Sequence, residues 1–190
     1  SPFSTDAGNF IHSSKMKNVF RHSCLFAAIS SSLIGTSSAY AAYMDIINDD
    51  QIVTVTATQN PAWTMNNLVV GNTTHGTLLI QDGGNVTSEL SADIGRLEGA
   101  RGVVEMSGLG SAWTIGDLLS VGYLEDGRLT MSGGSVVNVT NSSYLGYSAG
   151  SSGVVEVSGI GTQWNTVTIN LGFYGEGSLT INDGGKVTNT

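Results

Sequence analysis

Few side chains in this sequence have the chemistry that a catalytic site requires. His75 is the only histidine after residue 41, and it lies in segment 72–76, which has the composition of a bend between structural elements. A catalytic histidine works with a nucleophile or with a carboxylate that orients it. No Ser/Asp constellation surrounds His75, and the single cysteine, Cys24, lies near the amino terminus. We therefore interpret His75 as a solvated turn residue.

Carboxylates offer a second kind of chemistry, because calcium prefers oxygen ligands. The candidates are isolated aspartates without the dense G-G-x-G-x-D-x spacing of calcium-binding rolls, namely Asp49, Asp50, Asp82 and Asp183. Aspartate in turn-like sequence commonly hydrogen-bonds the backbone of its own turn. We predict Asx-turn residues at these positions, and the sequence indicates no metal site, no cofactor and no catalytic residue.

Basic side chains are too few to form an evident catalytic cluster with these acids. After residue 41 they are limited to four, which we expect at corners of the fold rather than in one column: Arg96, Arg101, Arg128 and Lys186. The whole chain has 15 acidic and 7 basic residues and a formal charge of −8. This balance argues against a nucleic-acid partner, which would require a basic surface.

The elements that position these residues are predicted to be strands. Glycine accounts for 26 of the 190 residues and charged residues for 12%, and the apolar residues are mostly Val, Ile and Leu beside Thr and Ser. β-Branched residues favour strands, and glycine permits tight bends. A helical bundle, which needs a sequence rich in Ala, Leu, Glu and Lys, is excluded.

The segment 16–41 has the pattern of a secretory signal peptide. Met16 is followed by the positive charges of Lys17 and Arg21, then by an apolar stretch over 24–34 broken only by serines. A small-x-small site, Ala39 to Ala41, predicts cleavage between Ala41 and Ala42. A short buried core helix is the alternative interpretation.

The remaining organisation follows from this assignment. Residues 1–15 precede Met16 without a clear pattern, which predicts an unstructured upstream segment or a misplaced start. Residues 42–60 form a lead-in or capping region that contains the strand-like run 51–56, and repeats fill residues 61–190. The mature chain would contain no cysteine and no disulfide.

Internal repeats dominate the chain after residue 61. One motif recurs at 76–86, 127–137 and 177–187, and a second motif recurs at 102–113 and 153–164. Both begin with glycine and place an apolar residue two and four positions later, so the structural unit is a coil of roughly 25 residues, half of the long repeat. Alternation between apolar and polar residues predicts a strand with one buried face.

Each coil therefore holds three short strands and three bends, which describes an all-β, right-handed parallel β-helix. Trp and Val should alternate along one column of side chains. Glu105 and Glu156 should point outward, in a column where they alternate with Thr130 and Thr180. The inward positions are predicted to be Leu78, Ile80, Val104, Met106, Leu129, Met131, Val155, Val157, Leu179 and Ile181.

The repeats follow the pattern G-x-L-T-I-x-x-G-G-x-V, then G-x-V-x-V-x-G-x-G-S-x-W, then L-x-V-G. This pattern resembles the repeats of autotransporter (type V secretion) passengers and of some PEP-CTERM surface proteins. The resemblance covers residues 61–190. It implies an adhesin-type passenger that uses the inner-membrane secretion machinery and then an outer-membrane translocator barrel. The sequence stops inside a coil, so the resemblance also implies an amino-terminal fragment that lacks this barrel.

We therefore expect an exported protein that passes through the periplasm to the cell surface, outer membrane or extracellular space. We expect it not to be an enzyme. Its expected role is adhesion or cell–cell association, with an unidentified host or bacterial ligand. One alternative is a fragment of a polysaccharide lyase or hydrolase, because parallel β-helices also carry such enzymes. Another is an inert spacer or a truncated, non-functional product. We expect no exposed aromatic patch to mark a binding face.

Overall fold

The computed structural model of this chain describes residues 42–59 and 62–190. Parallel strands form a β-solenoid of about six turns in this part of the chain, and no helix there is long and apolar enough to cross a membrane. The predicted upstream segment 1–15, the signal peptide 16–41 with Cys24, Ala39 and Ala41, and the start of the repeats at residue 61 lie outside the described residues. Ala42 is the first residue of the first strand.

The described residues form seventeen strands, most of them short: β1 (Ala42–Ile47), β2 (Gln51–Val55), β3 (Ala62–Val70), β4 (His75–Gln81), β5 (Asn85–Ser88), β6 (Ala92–Ile94), β7 (Arg101–Ser107), β8 (Ala112–Ile115), β9 (Leu119–Val121), β10 (Asp126–Met131), β11 (Val136–Val139), β12 (Ser142–Leu145), β13 (Ser152–Ser158), β14 (Gln163–Thr166), β15 (Thr168–Leu171), β16 (Glu176–Asn182) and β17 (Lys186–Asn189).

These strands form three parallel walls. The first wall is a six-stranded sheet in the order β16-β13-β10-β7-β4-β2. The second wall contains β5, β8, β11, β14 and β17, and the third wall contains β1, β6, β9, β12 and β15. Both belong to one eleven-stranded sheet, because the long strand β3 pairs with β5 through its first half and with β6 through its second half. The lead-in region contributes β1 and β2, which pair in parallel with β3 and β4.

The predicted inward columns are confirmed for the first wall. Val104, Leu129 and Val155 lie directly above one another and are fully buried. The neighbouring column, from Ile80 through Met106 and Met131 to Val157, is also buried. The last rung differs, because no further turn covers it among the described residues. Leu179 is only partly buried and Ile181 is 48% exposed, although both keep the inward register.

The predicted alternation of Trp and Val along the second wall is also confirmed. The column runs Trp63, Val86, Trp113, Val137, Trp164 and Val187, one residue per turn. Each indole thus packs against Val side chains of the adjacent turns. The buried Trp113 donates a hydrogen bond from Nε1 to Ser88 Oγ at 3.2 Å, whereas the buried Trp164 Nε1 has no partner among the described residues.

The glycine that begins each repeat is required by close approach between walls. A Cβ atom at Gly153 would meet the carbonyl oxygen of Val121 and the backbone nitrogen of Gly146. The equivalent glycines of the other turns, Gly76, Gly102, Gly127 and Gly177, face the same obstruction by backbone atoms. From β4 onward, the start of the first strand of each turn therefore passes where the third strand of the turn below leaves no room for a side chain.

The register predicts opposite effects for two adjacent residues. Val155→Asp should lower the free energy of unfolding by several kcal/mol, because it places an unpaired carboxylate in a buried apolar column. Glu156→Gln should cost at most about 1 kcal/mol, since it removes one partially exposed ion pair with Arg128. Thermal or denaturant unfolding of the two variants measures the difference. The reverse ranking would mean that the register is shifted by one residue.

The repeat glycine supplies a second test. Gly153→Ala should destabilise the protein by at least about 2 kcal/mol, because the new methyl group overlaps backbone atoms that cannot move independently. Gly150→Ala is the matched control, since it has a positive φ of 86° but no neighbouring atom within 4 Å of the new Cβ. It should cost only the left-handed backbone penalty of about 1–2 kcal/mol. Equal losses in urea unfolding would contradict the steric argument.

Candidate functional site

The structure places the four aspartates in turns and His75 at the start of a strand, directly after a bend. Asp49, Asp50, Asp82 and Asp183 all have positive φ angles, between 48° and 58°, as turn residues with a short polar side chain can. His75 is the first residue of β4 and lies 3.7 Å from Asp50 through its Nδ1, with both side chains largely exposed. Within residues 42–59 and 62–190, no three His, Cys, Asp or Glu side chains come close enough to share a metal ion.

The prediction that the basic residues lie at corners is wrong for Lys186, which is the first residue of β17. It is also wrong for Arg101 and Arg128. Both belong to the pairing ladder of the first wall, where Arg101 pairs with Asp126 and Arg128 pairs with Val103. They therefore lie in neighbouring outward columns of one sheet. Alternation along a strand brings every second residue to the same face, and the two arginines lie one residue before Gly102 and one residue after Gly127, so both point outward.

Acidic residues share this outward face of the first wall. Glu105, Thr130 and Glu156 are successive members of one outward column, so the two carboxylates are two rungs, about 10 Å, apart. Arg128 Nη2 lies 3.2 Å from Glu156 Oε2 and forms an ion pair with it. A shallow hollow of about 330 Å³ is lined by residues that include Glu105, Arg128 and Thr130.

A more distinctive surface lies along the third wall and the bend that follows it. In three consecutive turns the glycine that ends the third strand is followed by an aromatic residue: Tyr123, Tyr147 and Phe173. Because turns stack at one-rung spacing, these three rings form a ladder. The ring centroids of Tyr123 and Tyr147 are 4.9 Å apart at an interplanar angle of 14°, and those of Tyr147 and Phe173 are 5.5 Å apart at 22°.

Two more tyrosines complete this surface. Tyr144 contacts Tyr147 and Phe173 nearly at right angles, with centroids 5.2 and 5.4 Å away. Tyr174 packs against Phe173 at 4.5 Å and is 71% exposed. We call these five residues the aromatic strip. Leu97 and Leu124, both partly exposed, occupy bend positions equivalent to that of Tyr174 in earlier turns.

The aromatic strip contradicts our expectation that no exposed aromatic patch would be found. The signal was present in the sequence as an aromatic residue directly after the apolar-Gly pair, in Gly122-Tyr123, Gly146-Tyr147 and Gly172-Phe173. Taken one at a time, these positions are indistinguishable from ordinary exposed aromatic residues. Only the equal position in three stacked turns makes them a continuous surface.

An ion pair forms the amino-terminal end of the same surface. Asp93 lies in the outward column that continues through Ser120 to Tyr144, and its Oδ2 is 3.5 Å from Arg96 Nε. Burial raises the pKa of Asp93 above its usual value of 3.8, and the charge of Arg96 and a hydrogen bond from Ser120 oppose this rise. Burial of the carboxylate thus raises its pKa by more than Arg96 and Ser120 lower it.

The raised pKa of Asp93 predicts a definite sign for its pH effect. Between 3.8 and its folded pKa the native state binds more protons than the unfolded state, so the contribution of Asp93 to stability falls as the pH rises. Relative to Asp93→Asn, the wild-type protein should therefore gain stability on acidification through this window. Urea unfolding of both proteins at a series of acidic pH values measures the difference.

The neighbouring arginine provides a control for that measurement. Arg96→Gln removes the positive charge that lowers the pKa of Asp93. The pH range over which Asp93 affects stability should therefore extend to higher pH, and the difference in the free energy of unfolding from the Asp93→Asn protein should grow. An unchanged difference curve would show that Asp93 does not titrate in a buried environment.

Comparison of this chain with protein-family models, with curated proteins and with solved structures finds no match in any of the three. Within residues 42–59 and 62–190, the candidate surfaces are the outward face of the first wall and the aromatic strip on the third wall and its bend.

Proposed function

We propose that this chain is the β-helical part of an exported bacterial surface protein, similar to an adhesin-type autotransporter passenger. In this proposal, the signal peptide 16–41 directs export through the inner membrane, and an outer-membrane translocator barrel of the full protein then places the right-handed solenoid at the cell surface. There the solenoid acts as a stalk and as a contact surface for adhesion or cell–cell association.

The aromatic strip is the observation that carries this proposal. Exposed apolar patches on a soluble protein commonly mark interaction sites, and tyrosine is enriched at the centres of protein interfaces. The strip crosses at least three turns, so a solenoid can offer it to a partner as many small, regularly spaced contacts.

Two experiments test the export and adhesion parts separately. Residues 1–60 fused to alkaline phosphatase, which becomes active after export, should give periplasmic activity and a mature amino terminus at Ala42. Charge reversal at Lys17 and Arg21 should reduce the activity. A cytoplasmic fusion protein with an intact amino terminus would contradict export.

For adhesion, beads that carry the full chain should attach to bacterial or host cells more than albumin-coated beads do. Beads that carry Val155→Asp, which should unfold the solenoid, provide the folded-state control. If the folded and unfolded chains attach equally, the solenoid surface is not adhesive, and the inert-spacer interpretation replaces adhesion.

A polysaccharide hydrolase is the second candidate, because Glu105 and Glu156 share one outward column with Thr130 between them. Arg128 of the intervening strand pairs with Glu156. Glycosidases use two carboxyl groups, and a separation of about 10 Å is close to the upper limit for the inverting class. The surroundings argue against it: a general acid needs apolar neighbours, whereas Glu105 is exposed and Glu156 pairs with Arg128.

This second candidate predicts release of reducing ends from a polysaccharide panel by the wild-type chain, and loss of that activity in Glu105→Gln and in Glu156→Gln. Activity that survives both substitutions, or no activity at all, would eliminate this pair of residues as catalytic groups.

A further inference from the structure

We propose that the aromatic strip is a docking surface for a basic, apolar protein segment, one that presents Arg or Lys beside aliphatic side chains. This inference deepens the proposed function, on which it rests, because it names the contact surface and the chemistry of its partner. It depends on the ring geometry, on the charges that surround the strip and on its exposed apolar area.

The ring geometry determines what the strip can offer. Tyr123, Tyr147 and Phe173 stack face to face along the solenoid axis, so their faces contact one another and their edges and phenolic groups are left for a partner. Sugar rings bind aromatic residues mainly through the ring face, and the ladder leaves little such face outside its Phe173 end. A protein segment, in contrast, can use ring edges as apolar contact area and the tyrosine hydroxyls as hydrogen-bond partners.

The strip is also rigid before a partner arrives. Each ladder ring is held by a ring of an adjacent turn, and Tyr144 is held by two of them. Little side-chain freedom remains to be lost on binding, which lowers the entropic cost of the contact. Tyr123, Tyr144 and Tyr147 are half-buried along the strip, and Phe173 and Tyr174, after the last third-wall strand described, are 45% and 71% exposed.

The charged residues around the aromatic strip determine which kind of protein partner it favours. Two of the three bends that carry the strip continue into acidic residues within three positions, at Glu125, Asp126 and Glu176. Glu98 lies on the bend one turn below Tyr123, and the base Arg101 lies beside Asp126 in the strand pairing. The nearby Arg96 is already paired with Asp93. An acidic rim around an aromatic centre attracts a basic partner and repels nucleic acid, anionic membranes and anionic glycans. It also disfavours a second copy of this chain, which would bring the same acidic rim.

Binding of defined probes to the full chain tests the inference. The first probe is a fluorescent twelve-residue peptide of alternating Arg and Leu. A peptide of alternating Glu and Leu and one of alternating Arg and Ser separate the roles of charge and apolar contact, and chitohexaose represents a neutral glycan. We expect titration by fluorescence anisotropy or calorimetry to show at least tenfold tighter binding of the Arg/Leu peptide than of each other probe.

Matched variants locate the site. Tyr174→Ala should weaken binding of the Arg/Leu peptide at least tenfold, because Tyr174 is the most exposed ring and its only ring contact in the strip is with Phe173. Ile160→Ala removes an aliphatic side chain that is 89% exposed at a different bend, and it should leave binding within twofold. Glu125→Gln combined with Glu176→Gln should weaken binding and reduce its dependence on salt, whereas Glu105→Gln should not.

Several results would overturn the inference: equal losses in Tyr174→Ala and Ile160→Ala, chitohexaose binding that is sensitive to Tyr174, or no preference for the basic peptide. These outcomes are distinct from failure of the proposed function. If beads with the Tyr174→Ala protein adhere as well as wild-type beads, adhesion stands and the strip is not its contact surface. If the peptide binds but the beads do not adhere, the strip is a docking surface without the adhesive role.

Discussion

Parallel stacking of one turn on the next, at a separation of about 4.8 Å, is the constraint on which the rest of this structure depends. It places equivalent residues of successive turns opposite one another in the parallel pairing, so each side chain lies directly above its counterpart. It also brings the third strand of one turn so close to the first strand of the next that Gly153 and its equivalents have no room for a Cβ atom. The repeat begins with glycine for this reason.

The same stacking determines which residues can follow one another along a column. Two adjacent tryptophans would compete for one rung spacing inside the solenoid, and the chain instead alternates Trp113 with Val137. Glutamate alternates with threonine outside, so Glu105 and Glu156 are not on adjacent rungs. Like charges are thereby kept apart, and the long repeat spans two turns rather than one.

Aromatic rings respond differently to stacking on the outer surface. Tyr123 and Tyr147 can lie face to face there because flat rings match the spacing between turns. The contact stabilises the bend of each turn and at the same time produces a surface that is rigid and partly apolar. The outward face of the first wall is polar by comparison, with Arg128 and Glu156 neutralising each other. The molecule therefore has two faces of different chemistry, and the aromatic one has more of the character of a contact surface.

Much of the fold could be predicted from the sequence alone, because apolar residues two and four positions after each repeat glycine define an inward face without reference to any other turn. The columns through Leu129 and Met131 and the alternation of Trp and Val follow directly from that pattern. The sequence predicted the outward column of Glu105, Thr130 and Glu156, but it did not determine which residues of successive bends meet. The bends after the third strand differ in length, as between Gly122 and Gly127 and between Gly146 and Gly153, so equal numbering does not give equal position. Only the tertiary structure showed that Tyr123, Tyr147 and Phe173 lie within stacking distance of one another, because contacts between bends of successive turns are set by backbone pairing between distant segments rather than by local spacing.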